Sequence, residues 1–370
     1  MIILSSIKGS YVTSNGRTYS YFGGNNYLGL AYHPEIKKAA IAAIRKYGVN
    51  FSASRLTTGT SDLHIELEKR LSEFKNREDT ILFPSGYQGN SIILSALSKP
   101  ESVVLADINS HPSILESIPK GVRSVRLYDH CNPVSLEKLL KELPPESDPL
   151  IITDGVFALT GKIAPLAEIF RLSVKFNAKL IVDDAHSTGI LGKNGLGTPE
   201  HFYLENEKDI YQTETLSKAL GSYGGFISGS KKFINSLRER TSQYKASTAL
   251  PPPAVAAGIA ALNLIAANPG LRQELISKTT RLRAEIINLG FDTSTDDTPI
   301  IPLFCNSLST AKNLSLFLEQ NGIIIPAVIY PNKLEQHVVR ITVSISHTKR
   351  QTDFLLKILK KWRNESPTNG

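Results

Sequence analysis

Between Thr80 and His186 the chain repeats one unit: a short apolar run, a polar turn and an amphipathic stretch. The runs are Thr80-Ile81-Leu82-Phe83, Ser102-Val103-Val104-Leu105-Ala106, Ser124-Val125-Arg126-Leu127, Leu150-Ile151-Ile152-Thr153 and Lys179-Leu180-Ile181-Val182. Helices are predicted after them, from the Ser85-Gly86 turn to about Leu97, over Pro112 to Ile118, Val134 to Leu143 and Pro165 to Phe176. Strands this short and this apolar need cover on both faces, which predicts an α/β domain with a mostly parallel sheet flanked by helices. Such sheets bind ligands at the carboxyl ends of their strands. The polar clusters follow strand ends: Ser85 to Asn90, His111, Asp154, and Asp183-Asp184-Ala185-His186. That shared location predicts one composite site.

The flanks read differently. Tyr11-Val12-Thr13 and Thr18 to Phe22 surround Asn15-Gly16, a hairpin signal. A helix is predicted over 35–47, opened by His33-Pro34 and stopped by Gly48, and an amphipathic helix follows with Leu63, Leu67, Leu71 and Phe74 at helical period. After Lys218 the alternation weakens. An alanine-rich helix to about Ala267, a helix from Leu271 to Leu289, strands near 300–304, 323–325 and 338–343, and helices near 309–321 and 348–363 suggest a smaller α+β domain. The expected division is an N-terminal segment 1–31, a large domain 32–245 and a C-terminal small domain 246–370, with a frayed tail from Asn364.

Composition narrows the function. With 41% hydrophobic and 21% charged residues the chain has no signature of disorder. Cys131 and Cys305 are its two cysteines, which excludes a disulfide framework or a cysteine-rich zinc site, and no metal is expected. No apolar run approaches the roughly 20 residues that span a bilayer, so a soluble, cytoplasmic protein is expected. The charge of +8 is spread along helices without interleaved aromatics, which argues against a nucleic-acid groove and leaves an anionic substrate or acidic carrier as the partner it favours.

Several residues invite chemistry. Lys218 follows Thr213, Thr215 and Ser217 and precedes a glycine cluster. An amine there suits a Schiff base with an aldehyde, although a surface lysine beside a turn explains that stretch equally well. Asp183 ends an apolar strand, where a partly desolvated carboxylate needs a cation such as a protonated pyridine nitrogen; the competing reading is a cap for the next turn. His186 could donate to a phenolic oxygen on the same ring. His111 could stack on a flat cofactor or simply start a helix. Ser85, Gly86 and Tyr87 stand where a helix N-terminus meets a phosphate, with Thr215 and Ser217 adding hydroxyls, or form an ordinary turn. Gly192 to Gly197 fits neither nucleotide-loop spacing and is read as a loop. Arg340 in a predicted strand needs a carboxylate ligand or a buried ion-pair partner.

These residues stand in a recognisable order. Asn25-Asn26-Tyr27-Leu28-Gly29-Leu30, Ser54-Arg55-Leu56, Ser85-Gly86-Tyr87, Ser110-His111, Val182 to Gly189, Thr215-Leu216-Ser217-Lys218, Ser247 to Pro252 and Arg340 to His347 resemble the motifs of the α-oxoamine synthases, pyridoxal 5′-phosphate (PLP) enzymes of fold type I. Within that family the chain looks most like the 8-amino-7-oxononanoate synthases of biotin biosynthesis. The resemblance implies that Lys218 carries the cofactor and moves the α-proton, Asp183 pairs with the pyridinium, His186 contacts the ring hydroxyl and His111 stacks on the ring. It implies that Gly86, Tyr87 and Thr215 hold the phosphate, that Thr248 reaches it from a second subunit of a homodimer, and that Asn25 and Arg340 bind carboxylate. The implied reaction is a decarboxylating condensation of L-alanine with pimeloyl-CoA or a pimeloyl-acyl-carrier protein. Two alternatives stay open: a glycine-using relative such as 2-amino-3-ketobutyrate CoA ligase, or a PLP-binding protein without synthase activity. The chain departs from the family at Ala158-Leu159-Thr160-Gly161-Lys162, at Asp154, where the family has Glu, at Phe51-Ser52-Ala53 and in a shorter N-terminal segment.

Overall fold

The computed structural model describes residues 2–328 and 337–365, so the end of the expected frayed tail lies outside the described residues. The chain forms two compact units: Met1–Tyr32 with Ala158–Lys162 and Gly270–Gly370, and His33–Phe157 with Ile163–Pro269.

In the smaller unit, β1 (Ser6–Lys8), β2 (Tyr11–Ser14) and β3 (Arg17–Tyr21) make an antiparallel meander. The hairpin turn read from Asn15-Gly16 is present, both residues having positive φ (48° and 74°), the conformation that Asn and Gly tolerate best.

The larger unit is built on β4 (Asp79–Phe83), β5 (Ser102–Asp107), β6 (Ser124–Tyr128), β7 (Asp148–Asp154), β8 (Lys179–Asp183), β9 (Ile210–Thr215) and β10 (Gly225–Gly229). They form one sheet in the order β4-β10-β9-β8-β7-β5-β6, parallel except for β10, which runs antiparallel to both its neighbours. Side chains alternate between the faces as a strand requires. Val104, Ala106, Leu150, Ile152 and Ile181 enter one core, and Val103, Leu105, Ile151, Leu180 and Val182 enter the other.

β9 and β10 carry no apolar run in the sequence and were not expected. β9 reads Ile-Tyr-Gln-Thr-Glu-Thr, yet Gln212, Thr213, Glu214 and Thr215 are all buried. Each of the four has a partner inside the protein, although Glu214 Oε2 has none among the described residues. Glu214 pairs with Lys75, Gln212 Nε2 donates to Asp184 Oδ2 at 2.6 Å, and Thr213 Oγ1 donates to Asn90 Oδ1 at 2.8 Å.

Residues 246–269, read as the start of the small domain, pack in the larger unit. The helix Pro252–Ala267 is apolar on nearly every side and has to be enclosed. It lies against the helices Pro34–Tyr47 and Asp62–Phe74, where a Cβ on Gly258 would stand 3.2 Å from Leu67.

The smaller unit is completed by β11 (Ile300–Cys305), β12 (Ile323–Ile324), β13 (Ala327–Val328) and β14 (His337–Thr342), with helices Leu271–Asn288, Leu308–Gln320 and Lys349–Glu365. β14 lies between β11 and β13, and β12 extends the N-terminal meander by pairing in parallel with β3.

One buried histidine stabilises each unit in its neutral form. His64 Nδ1 accepts the amide of Ser61 at 3.2 Å, capping the helix Asp62–Phe74, while Nε2 donates to the carbonyl of Leu250 at 2.8 Å. His347 stacks on Phe22 at 3.9 Å, accepts the Ser344 amide at 2.9 Å and donates to the Tyr21 carbonyl at 2.8 Å. Burial pushes each imidazole down to about 4 from an ordinary 6.5. Between those values the unfolded chain binds protons that the folded one refuses. The stability these residues contribute is therefore complete above pH 6.5 and is lost as the pH falls toward 4. Each can account for about 3 kcal/mol over the full window. Thermal midpoints measured from neutral pH down through this range should fall, and the fall should be smaller in His64→Gln; an identical pH dependence would refute the assignment.

Candidate active site

The carboxyl edge of the central sheet gathers most of the residues singled out in the sequence. Asp107, Asp154 and Asp183 end β5, β7 and β8, adjacent strands, and Asp154 is the register partner of Asp183. All three carboxylates are buried.

Asp183 is oriented by two donors. Asn90 Nδ2 reaches Oδ2 at 2.6 Å and the Ala185 amide reaches Oδ1 at 3.0 Å. Asn90 also donates to Ser113 Oγ at 2.9 Å, so the helix Gly86–Leu97 fixes both the carboxylate and the segment after β5. Asn90 had been noticed only as part of a polar cluster. Its three-way role depends on a helix side chain meeting the end of β8 at Asp183, Thr213 within β9 and Ser113 in the helix after β5, for which one sequence offers no spacing signal.

Asp154 accepts the backbone amide of His111 at 3.0 Å. Its carboxyl is pushed well above the usual range, first by burial and then by the charge of Asp183; the His111 N–H and the Lys218 cation oppose the shift. Two carboxylates this close do not ionise independently. His111 caps the short helix Pro112–Leu115, its Nδ1 lying 2.7 Å from Ser113 Oγ. His186 follows β8 and is buried.

Lys218 is half-buried in the connection from β9 to β10. The turn is closed by Gly221 N to Lys218 O at 3.0 Å, Ser222 N to Leu216 O at 2.8 Å and Leu216 N to Gly224 O at 2.9 Å. Gly224 has φ of 116°, and a Cβ there would meet Leu250 at 2.9 Å, so glycine is required where the chain turns back under the lysine.

The phosphate-type donors converge on one place. Ser85 is the N-cap of the helix Gly86–Leu97, and Gly86 faces Thr215, whose Oγ1 would lie 3.3 Å from an added Cβ. Thr215 Oγ1 lies 2.8 Å from Ser217 Oγ and accepts the Ser217 amide at 3.1 Å. Tyr87 is exposed, with its hydroxyl bonded to Glu116. Amides at a helix N-terminus beside two hydroxyls form a donor set for an oxyanion. Thr248 is exposed and forms an isolated bridge with Ser54. The Gly192–Gly197 stretch is a loop, and its turns wrap the buried carboxylates of Asp184 and Glu200.

In the smaller unit, Arg340 on β14 is buried and forms no ion pair among the described residues. Its Nη1 donates to the Ala158 carbonyl at 2.8 Å and its Nη2 to Asn25 Oδ1 at 3.3 Å, while Nε has no partner among the described residues. Among the described residues, then, the guanidinium is held by neutral acceptors and keeps Nε as a donor suited to an anion.

The chain matches the aminotransferase class I and II family over residues 19–359. It is 38% identical to an 8-amino-7-oxononanoate synthase of Thermoanaerobacter pseudethanolicus, across 98% of this chain and 92% of that protein. Among solved structures it is similar to an 8-amino-7-oxononanoate synthase of Francisella tularensis, with a TM-score of 0.80 and 27% identity over 94% of this chain and 98% of that one. It is similar also to a serine palmitoyltransferase variant of S. paucimobilis with a bound PLP–myriocin aldimine, with a TM-score of 0.95 and 27% identity over 99% of this chain and 93% of that one.

The Asn90 arrangement makes a direct prediction. Replacing Asn90 by Ala leaves a carboxylate and a hydroxyl buried without their partner, and should lower the stability of the cofactor-free protein by roughly 1–3 kcal/mol. Urea denaturation measures it; an unchanged midpoint would mean that the contacts to Asp183 and Thr213 carry no weight.

Proposed function

The chain belongs to the aminotransferase class I and II family, and we propose that it serves there as a PLP-dependent 8-amino-7-oxononanoate synthase, an acyltransferase of biotin biosynthesis. The reaction condenses L-alanine with a pimeloyl thioester, of CoA or an acyl-carrier protein, and releases CO2 and the free thiol. One observation carries the reading: an oriented, buried carboxylate ends β8, and a half-buried lysine follows the end of β9, the neighbouring strand.

The donor set fits the cofactor. Ser85, Gly86, Tyr87, Thr215 and Ser217 would hold its phosphate, joined by Thr248 of a second copy. Asp183 would meet the ring nitrogen, His111 the ring face and His186 the ring hydroxyl. Burial and the charge of Asp183 push the Asp154 carboxyl toward its neutral form. The bound cofactor supplies an electron sink for the pair left at the substrate Cα. Lys218 anchors the cofactor and then carries the α-proton, a task that suits an amine held by a rigid turn. Arg340 and Asn25, in the smaller unit, take a substrate carboxylate through the unused donors of the guanidinium.

A cytoplasmic homodimer is part of the proposal. Ile41 and Ile44 are 50% and 45% exposed on the helix Pro34–Tyr47, apolar surface that a second copy would cover. No single helix among the described residues is long and apolar enough to cross a bilayer.

The likeness to serine palmitoyltransferase makes L-serine the competing amino acid. Thiol release from pimeloyl-CoA and from a pimeloyl-carrier protein should be supported by L-alanine above L-serine and glycine, and inactivity with alanine would end the proposal. Lys218→Ala should lower the rate by roughly a hundredfold or more, as loss of a positioned acid–base group does. Borohydride reduction should fix the cofactor mass on the peptide that contains Lys218, and its appearance on another lysine would displace Lys218 from the role.

A further inference from the structure

Asp107, His130 and Cys131 meet beyond the carboxyl ends of β5 and β6, and the chemistry above gives none of them a task. Their candidate ligand atoms lie within 4.8 Å of one another, close enough to suggest a metal site. The hydrogen bonds argue otherwise. Asp107 Oδ1 takes Nδ1 of His130 at 2.9 Å and the Asn109 amide at 2.8 Å, and its Oδ2 takes the Cys131 amide at 2.7 Å. Both carboxylate oxygens are thus engaged. A carboxylate only accepts, so Nδ1 carries the proton and Nε2 keeps its lone pair. Nε2 faces Cys131 Sγ at 3.8 Å. That leaves the imidazole Nε2 and the thiol at most as ligands, fewer than the three or four protein ligands of a zinc site.

The same geometry suits nucleophilic chemistry: a thiol in reach of a base, and the base held by a third group. The imidazole is fixed from its side by Phe157, edge-on at 4.4 Å. Cys131 has φ of 50°, a left-handed conformation unfavourable for a residue with a side chain, and this turn brings its amide onto Asp107. It directly precedes Asn132, the N-cap of the helix Pro133–Lys141, whose positive end favours a thiolate. Cys131 is half-buried, whereas Cys305 is buried.

We propose that Cys131 is a nucleophilic thiol, with His130 as its base and Asp107 as the group that positions His130, and that it is a modification site for small peroxides. His130 Nε2 takes the thiol proton, and Sγ attacks one peroxide oxygen. An S–O bond forms and the O–O bond breaks. The departing hydroxide or alkoxide recovers the proton from Nε2 and leaves as water or alcohol. Sulfur gives two electrons to the peroxide and becomes a sulfenic acid, which a small thiol can reduce.

Cys305 is an internal control, since burial pushes its thiol up to about 11. In the holoenzyme, iodoacetamide should alkylate Cys131 at neutral pH roughly tenfold faster than in His130→Gln, the gain expected from a base-activated thiol. The rate profile of the variant should move to higher pH, and Cys305 should react only after denaturation. Hydrogen peroxide followed by dimedone should label Cys131 in the wild type and much less in His130→Gln. Circular dichroism establishes that this partly exposed substitution leaves the fold intact; Asp107→Asn, a buried change, is informative only if it folds, and should then shift the profile the same way. Superimposable profiles, or no dimedone adduct in the wild type, would overturn the proposal. So would stoichiometric zinc protection of Cys131 reversed by a chelator, which would make the group a metal site.

Discussion

A parallel sheet of this kind delivers its strand ends into the interior, and here those ends are carboxylates. An isolated buried carboxylate is too costly to keep charged, so each must be given donors, a cation or a proton. The protein uses all three solutions. Asp183 receives an amide side chain and a backbone N–H, Glu214 receives Lys75, and Asp154 is driven toward its neutral form. Asp184, one residue beyond β8, is surrounded by Ser187, the Thr198 amide and Gln212. The loop after it and the polar strand β9 are shaped by this requirement as much as by hydrophobic packing.

The legible parts of the fold were those whose signal is local. Branched apolar runs announced β4 to β8, and Asn15-Gly16 announced its hairpin. β9 was hidden because four of its buried residues are polar, and their partners, Lys75, Asp184 and Asn90, lie far away in the sequence. The division into units was hidden for a related reason. Residues 158–162 lie within the span of the larger unit but fold with the smaller one, where Gly161 bonds through its carbonyl to Thr298 at 2.8 Å. Candidate residues next to strand ends, such as Asp183 and His186, stand out from position alone. Asn90, which holds Asp183 from within a helix, could not.

One device recurs along this sheet edge, a carboxylate that orients its neighbour. At β7, Asp154 holds the backbone of His111. At β5, Asp107 holds the imidazole of His130 and the amide of Cys131. In both places the carboxylate fixes the geometry of its neighbour through hydrogen bonds it accepts.

Arg340 grips the 158–162 loop through the carbonyl of Ala158, a group every amino acid possesses. The side chains of that loop are therefore decoupled from the anchoring of the guanidinium. A change of side chain at position 158 therefore leaves this hydrogen bond in place, whereas Gly161, with φ of 67° and an added Cβ only 2.7 Å from Thr298 Oγ1, has no such freedom. The loop is thus held twice by its main chain, at the Ala158 carbonyl by Arg340 and at the Gly161 carbonyl by Thr298.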